Sequence, residues 1–167
     1  IVAGNWTFTE VQSAGFQPDN TVDAKHEMEV DGDGGLHAVM CDRNDFSLHY
    51  GYSEGDGEPW SFGKIADSGH SSCEYDFDLE LDSTDNDRPH LIYNDAFGND
   101  FEAGDVAHAT YSATTGDWEF TDLLTTESNG NSIEVELEID SIGILHILSV
   151  ANSGGEGCNI IDISYWN

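Results

Sequence analysis

Glu27-Met28-Glu29-Val30-Asp31, Asp78-Leu79-Glu80-Leu81-Asp82 and Glu136-Leu137-Glu138-Ile139-Asp140 are one five-residue phrase written three times. In each copy acids and apolar side chains alternate, the period of a strand with two unlike faces. A turn rich in Gly, Ser, Asp or Asn follows. Next come a His after Leu or Pro (Leu36-His37, Pro89-His90, Leu145-His146) and a segment ending in Tyr50, Tyr111 or Tyr165. A further phrase, Trp-x-Phe-x-x-aliphatic, stands at Trp6–Val11, Trp60–Ile65 and Trp118–Leu123. The order acid strand, turn, His strand, Tyr strand, Trp strand never changes, and no sustained 3.6-residue apolar stripe competes with it.

Four short strands recurring roughly every 50–60 residues make one blade of a β-propeller, an all-β fold. The first blade takes strands near Glu27–Asp31, Leu36–Met40, Ser47–Tyr52 and Trp60–Ile65, and the second Asp76–Asp82, Pro89–Asn94, Val106–Ser112 and Trp118–Leu124. The third has Ile133–Asp140, Leu145–Val150 and Ile160–Trp166, where the chain stops one strand short. The blades thus span 26–65, 76–124 and 133–166 of a single domain 1–167, and the strand at 6–11 completes a blade in a permuted register. Propellers close with about four to eight blades. Three blades are therefore expected to pair into a six-bladed homodimer, to belong to a larger propeller, or to pass the opening strand onward in a filament.

Four Lys+Arg stand against 34 Asp+Glu, a net charge of −30 on 167 residues. No basic stripe for nucleic acid can be built from Lys25, Arg43, Lys64 and Arg88, and docking on an anionic membrane is equally disfavoured. With 38% hydrophobic and 11% aromatic residues, the chain still has the apolar area for a core. No apolar run nears the roughly 18 residues of a membrane span, and a chain without an initiator Met or signal-like stretch reads as a processed or excised piece. Self-repulsion at this charge calls for a medium that screens carboxylates: brine, or abundant divalent cations.

Candidate chemistry lies in the acids. In a propeller the first strand of each blade lines the central channel, so Glu29, Glu80 and Glu138 are expected to form a carboxylate ring that traps calcium, sodium or water, or simply faces brine. The turns holding Asp31 and Asp33, and Asp82, Asp85 and Asp87, have the oxygen-rich spacing of calcium loops but complete no EF-hand; the plainer reading is a hairpin turn. No cofactor is essential beyond these candidate Ca2+ or Na+ sites. His37, His90 and His146 recur once per blade, which suits a local hydrogen bond tying the second strand to a turn better than a shared metal ring. The recurring Trp and Tyr residues read as packing between blades. Cys41 and Cys73 are a candidate disulfide, in keeping with an oxidising exterior, while Cys158 is left over. Ligand sites on such scaffolds sit in loops such as 94–105 and 153–158.

The run Asp78-Leu79-Glu80-Leu81-Asp82-Ser83, then Pro89-His90-Leu91-Ile92-Tyr93-Asn94-Asp95 and Gly116-Asp117-Trp118, resembles the degenerate repeats of sialidase-like (BNR-like) β-propellers. The resemblance implies a secreted or cell-surface repeat propeller. The Asp-box Ser-x-Asp-x-Gly-x-x-Trp is missing, and two arginines make no arginine triad. The expected function is a non-catalytic extracellular recognition or assembly module, salt-adapted, binding a glycan, protein or surface polymer through its loops. The alternatives are a glycosidase or lyase using carboxylates at the channel mouth and a structural filament subunit.

Overall fold

Strict alternation in the repeated phrases becomes strand pairing in the computed structural model, which describes residues 26–42, 47–55, 57–65, 76–95, 105–124, 131–152 and 158–165. The first sheet is β1 (His26–Val30), β2 (Leu36–Asp42), β3 (Ser47–Ser53) and β4 (Ser61–Lys64), hydrogen-bonded in chain order. The second is β5 (Phe77–Asp82), β6 (Arg88–Asp95), β7 (Asp105–Ser112) and β8 (Asp117–Leu124) in the same order. The third is β9 (Asn131–Ile139), β10 (Leu145–Asn152) and β11 (Cys158–Tyr165), with β10 in the middle. All pairs are antiparallel. The strands expected within the described residues are there, displaced by a residue or two at their ends: Asp31 and Asp140 fall in the turns, and Trp60 precedes β4. The segment 6–11, Cys73 and Trp166 lie outside the described residues, as does most of the 94–105 and 153–158 loops. Among the described residues no closed barrel forms; the sheets stack in chain order with the second between the other two.

Because alternate side chains point to opposite faces, the second sheet feeds two cores. Phe77, Leu79, Leu91, Tyr93, Ala107 and Ala109 pack against Val39, Leu48 and Ile65 of the first sheet's side, with Tyr50 and Trp118 at the margin. Ile92 and Val106, on its other face, pack against Val135, Leu137, Leu145 and Ile147 of the third sheet. A strand buried on both faces is a near-continuous apolar run. This explains why Leu91-Ile92-Tyr93 has no polar residue where β1 and β9 alternate.

Each inner hairpin is closed by an aspartate. Asp31 Oδ1 accepts the backbone N–H groups of Asp33 (3.0 Å) and Gly35 (2.6 Å), and Asp140 Oδ1 those of Ile142 (2.9 Å) and Ile144 (3.0 Å). Three residues beyond each Asp stands a glycine at positive φ, Gly34 at 91° and Gly143 at 82°, as the tight turn demands. The longer second turn uses Asn86 and Asp87 in that region, and its Asp82 accepts from Thr84 N (2.8 Å) and Thr84 Oγ1 (2.6 Å). The turns meet at one end of the stack. Gly32 N donates to Asp87 Oδ2 at 2.9 Å, and a Cβ on Gly143 would stand 2.6 Å from Thr84 Oγ1.

Leu91 and Ile92 are both 0% exposed and belong to different cores. Either one changed to Ala should cost about 2–5 kcal/mol, whereas Leu148→Ala on an exposed position should cost little, as read by denaturant unfolding in high salt.

Candidate functional site

On the inner strands, Glu29, Glu80 and Glu138 occupy one register: they lie opposite His37, His90 and His146. The structure brings the three within electrostatic reach. Partial burial, then the charges of Glu29, Glu138, Asp78 and Glu27, push the Glu80 carboxyl up to about 7. Burial first, then Glu27 and Glu138, raise Glu29 as well. A cleft of about 500 Å³ runs here, lined by Glu27, Asp76, Asp78, Glu80, Glu134, Glu136 and Glu138. Alternation puts Glu29 on the face toward the second sheet, Glu80 on the face toward the third, and Glu138 on the face opposite Leu137. Among the described residues no three His, Cys, Asp or Glu side chains share a position fit for a metal ion.

Two of the inner acids perform a backbone task. Asp76 Oδ2 accepts Val135 N–H at 2.9 Å and Asp78 Oδ2 accepts Leu137 N–H at 2.7 Å, satisfying donors on the inner edge of β9. The turn acids are engaged too. Asp31 and Asp82 hold their own turns, Asp87 holds Gly32, and Asp85 pairs with Arg88 at 3.1 Å.

The repeated histidines divide. His37 Nε2 lies 3.2 Å from Asp31 Oδ2, and His146 Nε2 3.3 Å from Asp140 Oδ2, each tying its strand to the preceding turn. A carboxylate only accepts, so His37 Nε2 carries the proton and its Nδ1 receives the Tyr50 hydroxyl at 2.6 Å. Burial opposes the charge on Asp31, but bonds from His37, Gly35 and Asp33 hold its carboxyl below the usual range. Burial, then Tyr111, Tyr52 and Asp31, push the Tyr50 hydroxyl well up, so it stays a donor. His90 instead meets His108, with Nδ1 to Nε2 at 3.0 Å and rings stacked 5.1 Å apart. Burial lowers both imidazoles to about 4.

The repeated tyrosines are not one position. Tyr50 lies opposite Val39, two residues beyond His37; the same place holds His108 opposite Ile92 and Asp162 opposite Leu148. Tyr165, opposite Leu145, corresponds to Ser53 opposite Leu36. Tyr50 therefore points from the first sheet toward the second, where Tyr111 faces it.

That meeting builds a cleft between the first two sheets. Tyr50 and Tyr111 stack at 6.3 Å, and Trp118 stands edge-on to both at 5.2 and 5.7 Å. On the other face of the first sheet, Phe62 lies across Gly51, leaving no room there for a Cβ, and stacks on Trp60 at 5.7 Å. Tyr50, Tyr111 and Trp118, with Tyr52 and Phe120, line a space of about 810 Å³. It continues past Tyr50, Tyr52 and Tyr111 into about 530 Å³ edged by Asp31, Asp33, Asp85, Asp87 and Arg88. Phe120 stays 47% exposed. The Trp-x-Phe phrase was the signal for this site: alternation puts Trp118 and Phe120 on one face of an outer strand. Cys41, buried at the end region of β2, is disulfide-bonded.

No family model matches the chain, so the sialidase-like resemblance has no support from that quarter. No curated protein matches it either. Among solved structures, the fold is similar to that of a protein from Bifidobacterium bifidum s17 described as a putative exo-beta-1,3-galactanase. The TM-score is 0.53 at 13% identity, over 83% of this chain and 47% of that one. The chain thus spans about half the length of its structural neighbour.

Glu80 and the histidine pair pull stability in opposite directions with pH. A carboxyl raised to about 7 takes up its proton on folding between that value and its ordinary 4.5, so acidification stabilises the fold there. Imidazoles held near 4 release theirs on folding, so acidification below the ordinary 6.5 destabilises. Glu80→Gln should melt higher than the parent at pH 8 and lose stability more steeply between pH 7 and 5, a difference readable in melting temperatures at fixed salt.

Proposed function

We propose that the chain is a carbohydrate-binding segment of a salt-adapted β-propeller that works outside the cell, its three sheets being consecutive blades. The aromatic cleft between the first two sheets carries this reading. Sugar rings present apolar C–H faces to aromatic side chains and hydroxyls to carboxylates and guanidinium groups, and here Tyr52 lines both the space walled by Trp118 and Phe120 and the adjoining one edged by Asp33, Asp87 and Arg88. A rim of aspartates favours neutral over acidic glycans. The fold likeness to a galactanase is consistent with a carbohydrate ligand. The Cys41 disulfide suits an oxidising compartment.

Glycoside hydrolysis is the second reading, and Glu80 is the observation in its favour: a carboxyl near 7 beside other carboxylates has the character of a general acid. One experiment separates the two. Neutral oligosaccharides, β-1,3-linked galactose chains among them, are titrated while tryptophan fluorescence is followed, and reducing ends are counted over hours. Binding should quench Trp118 fluorescence, and Phe120→Ala or Tyr52→Ala should weaken it at least about tenfold, roughly 1.4 kcal/mol. Unchanged affinity in both variants would remove the cleft from the proposal. Release of reducing ends that Glu80→Gln abolishes would establish the second reading in place of the first.

Cations, Na+ or Ca2+, serve this fold by screening rather than at a fixed site, since the turn aspartates are already engaged by backbone and side-chain donors. The melting temperature should climb steadily from millimolar to molar NaCl. An excess of calcium chelator at molar NaCl should leave it in place; a fall of several degrees would point to bound calcium instead.

A further inference from the structure

We propose that the outer faces of the first and third sheets are the two halves of one interface, and that the partner is a second copy of this chain in a closed pair of six sheets. The inner strands follow a rule. Each turns its apolar side toward the preceding sheet and its acidic side toward the next: Phe77 and Leu79 pack toward the first sheet, while the carboxylates of Asp76 and Asp78 reach the third. Among the described residues the rule has no internal partner at the two ends of the stack. Met28 and Val30 of β1 are 56% and 58% exposed, an apolar pair facing away from the second sheet. Glu134, Glu136 and Glu138 of β9 face outward from the third.

The interface between the second and third sheets supplies the register for joining them; between the first and second, the Leu79 N–H goes instead to Asp78 Oδ1 at 3.0 Å. Glu138 and Glu29 lie opposite His146 and His37, as Glu80 lies opposite His90, so Glu136 corresponds to Asp78 and Met28 to Leu137. Asp78 Oδ2 accepts the Leu137 N–H at 2.7 Å. Glu136 would therefore accept the partner's Met28 N–H. That group lies on the unpaired edge of β1: Asp31 N–H bonds Gly35 C=O, and alternation along the ladder turns Met28 the other way. Val30 would be covered in the same contact, removing an exposed apolar edge. A two-fold axis makes both junctions at once, and six sheets fall within the range of closed rings, about four to eight. The unlike faces make the contact head-to-tail rather than face-to-self.

Each copy brings a charge of −30, so association should need salt. Sedimentation in molar NaCl should give twice 18.2 kDa. Val30→Asp sets a carboxylate against the acidic face. It should raise the dissociation constant about a hundredfold and give single-chain mass, while its circular dichroism stays that of the folded chain and its melting temperature falls only by what the lost association had added, the gap closing on dilution. Glu136→Lys alone should also weaken pairing. Mixing the two variants leaves one junction intact and puts Asp opposite Lys in the other, so mixed pairs should form where neither variant pairs alone. Single-chain mass for the parent, mass that grows without limit with concentration, a paired Val30→Asp variant, or no recovery on mixing would each overturn the proposal.

Discussion

The carboxylates on the inner strands are held next to backbone, and the rest of the structure follows from that placement. A sheet whose first strand has an unpaired edge exposes a row of N–H donors that must be satisfied without inviting a stray strand. Asp76 and Asp78 meet the donors of Val135 and Leu137, so the charged face of one sheet becomes the seat of the next. The apolar faces then close over Leu91 on one side and Ile92 on the other. An acidic strand next to an apolar one is the means by which sheets stack in a fixed order.

The same placement concentrates charge. Glu29, Glu80 and Glu138 sit at one height because their strands share a register with the histidines, and burial, with repulsion added to it, raises the carboxyls of Glu29 and Glu80. Engagement of the turn aspartates works the other way. Backbone donors from Ile144 and Ile142, and His146 beside them, hold Asp140 low against a small opposing effect of burial. The charge is thus sorted into carboxylates fixed by hydrogen bonds, at the turns and at Asp76 and Asp78, and carboxylates such as Glu29 and Glu80 left to repel. The second group is the one that gains from screening.

Much of this was legible in the sequence because strand alternation is a local property. The acid phrases, the hairpin glycines and the order of strands each follow from a few neighbouring residues, and the structure has them within a residue or two. The histidine-to-turn bond was legible for His37 and His146, where six positions separate Asp from His, but not for His90, whose longer turn leaves Asp82 with Thr84 and turns the imidazole to His108. The tyrosines misled for a related reason. Tyr50 and Tyr111 look equivalent by order, but the lengths of the β2–β3 and β6–β7 connections differ, and a shift of three residues changes the face. The aromatic cleft was hidden because rings at a sheet margin look the same in sequence whether a neighbour covers them or not.

Division of labour between strands follows from these constraints. The inner strands are spent on seating one sheet against the next, and their carboxylates are pressed together or bonded to backbone, a poor surface for a neutral ligand that must displace tightly held water. The outer strands carry no such duty. The rings of Tyr52, Trp118 and Phe120 line the gap between them without filling it. Tyr50 is the hinge between the two regimes: its ring belongs to the core margin and the cleft wall, while its hydroxyl is fixed through His37 to the turn of the innermost hairpin. A ligand leaning on Tyr50 would therefore feel a wall braced by the same aspartate that shapes the turn. Recognition placed there draws on the rigidity of the stack without disturbing the charges that build it.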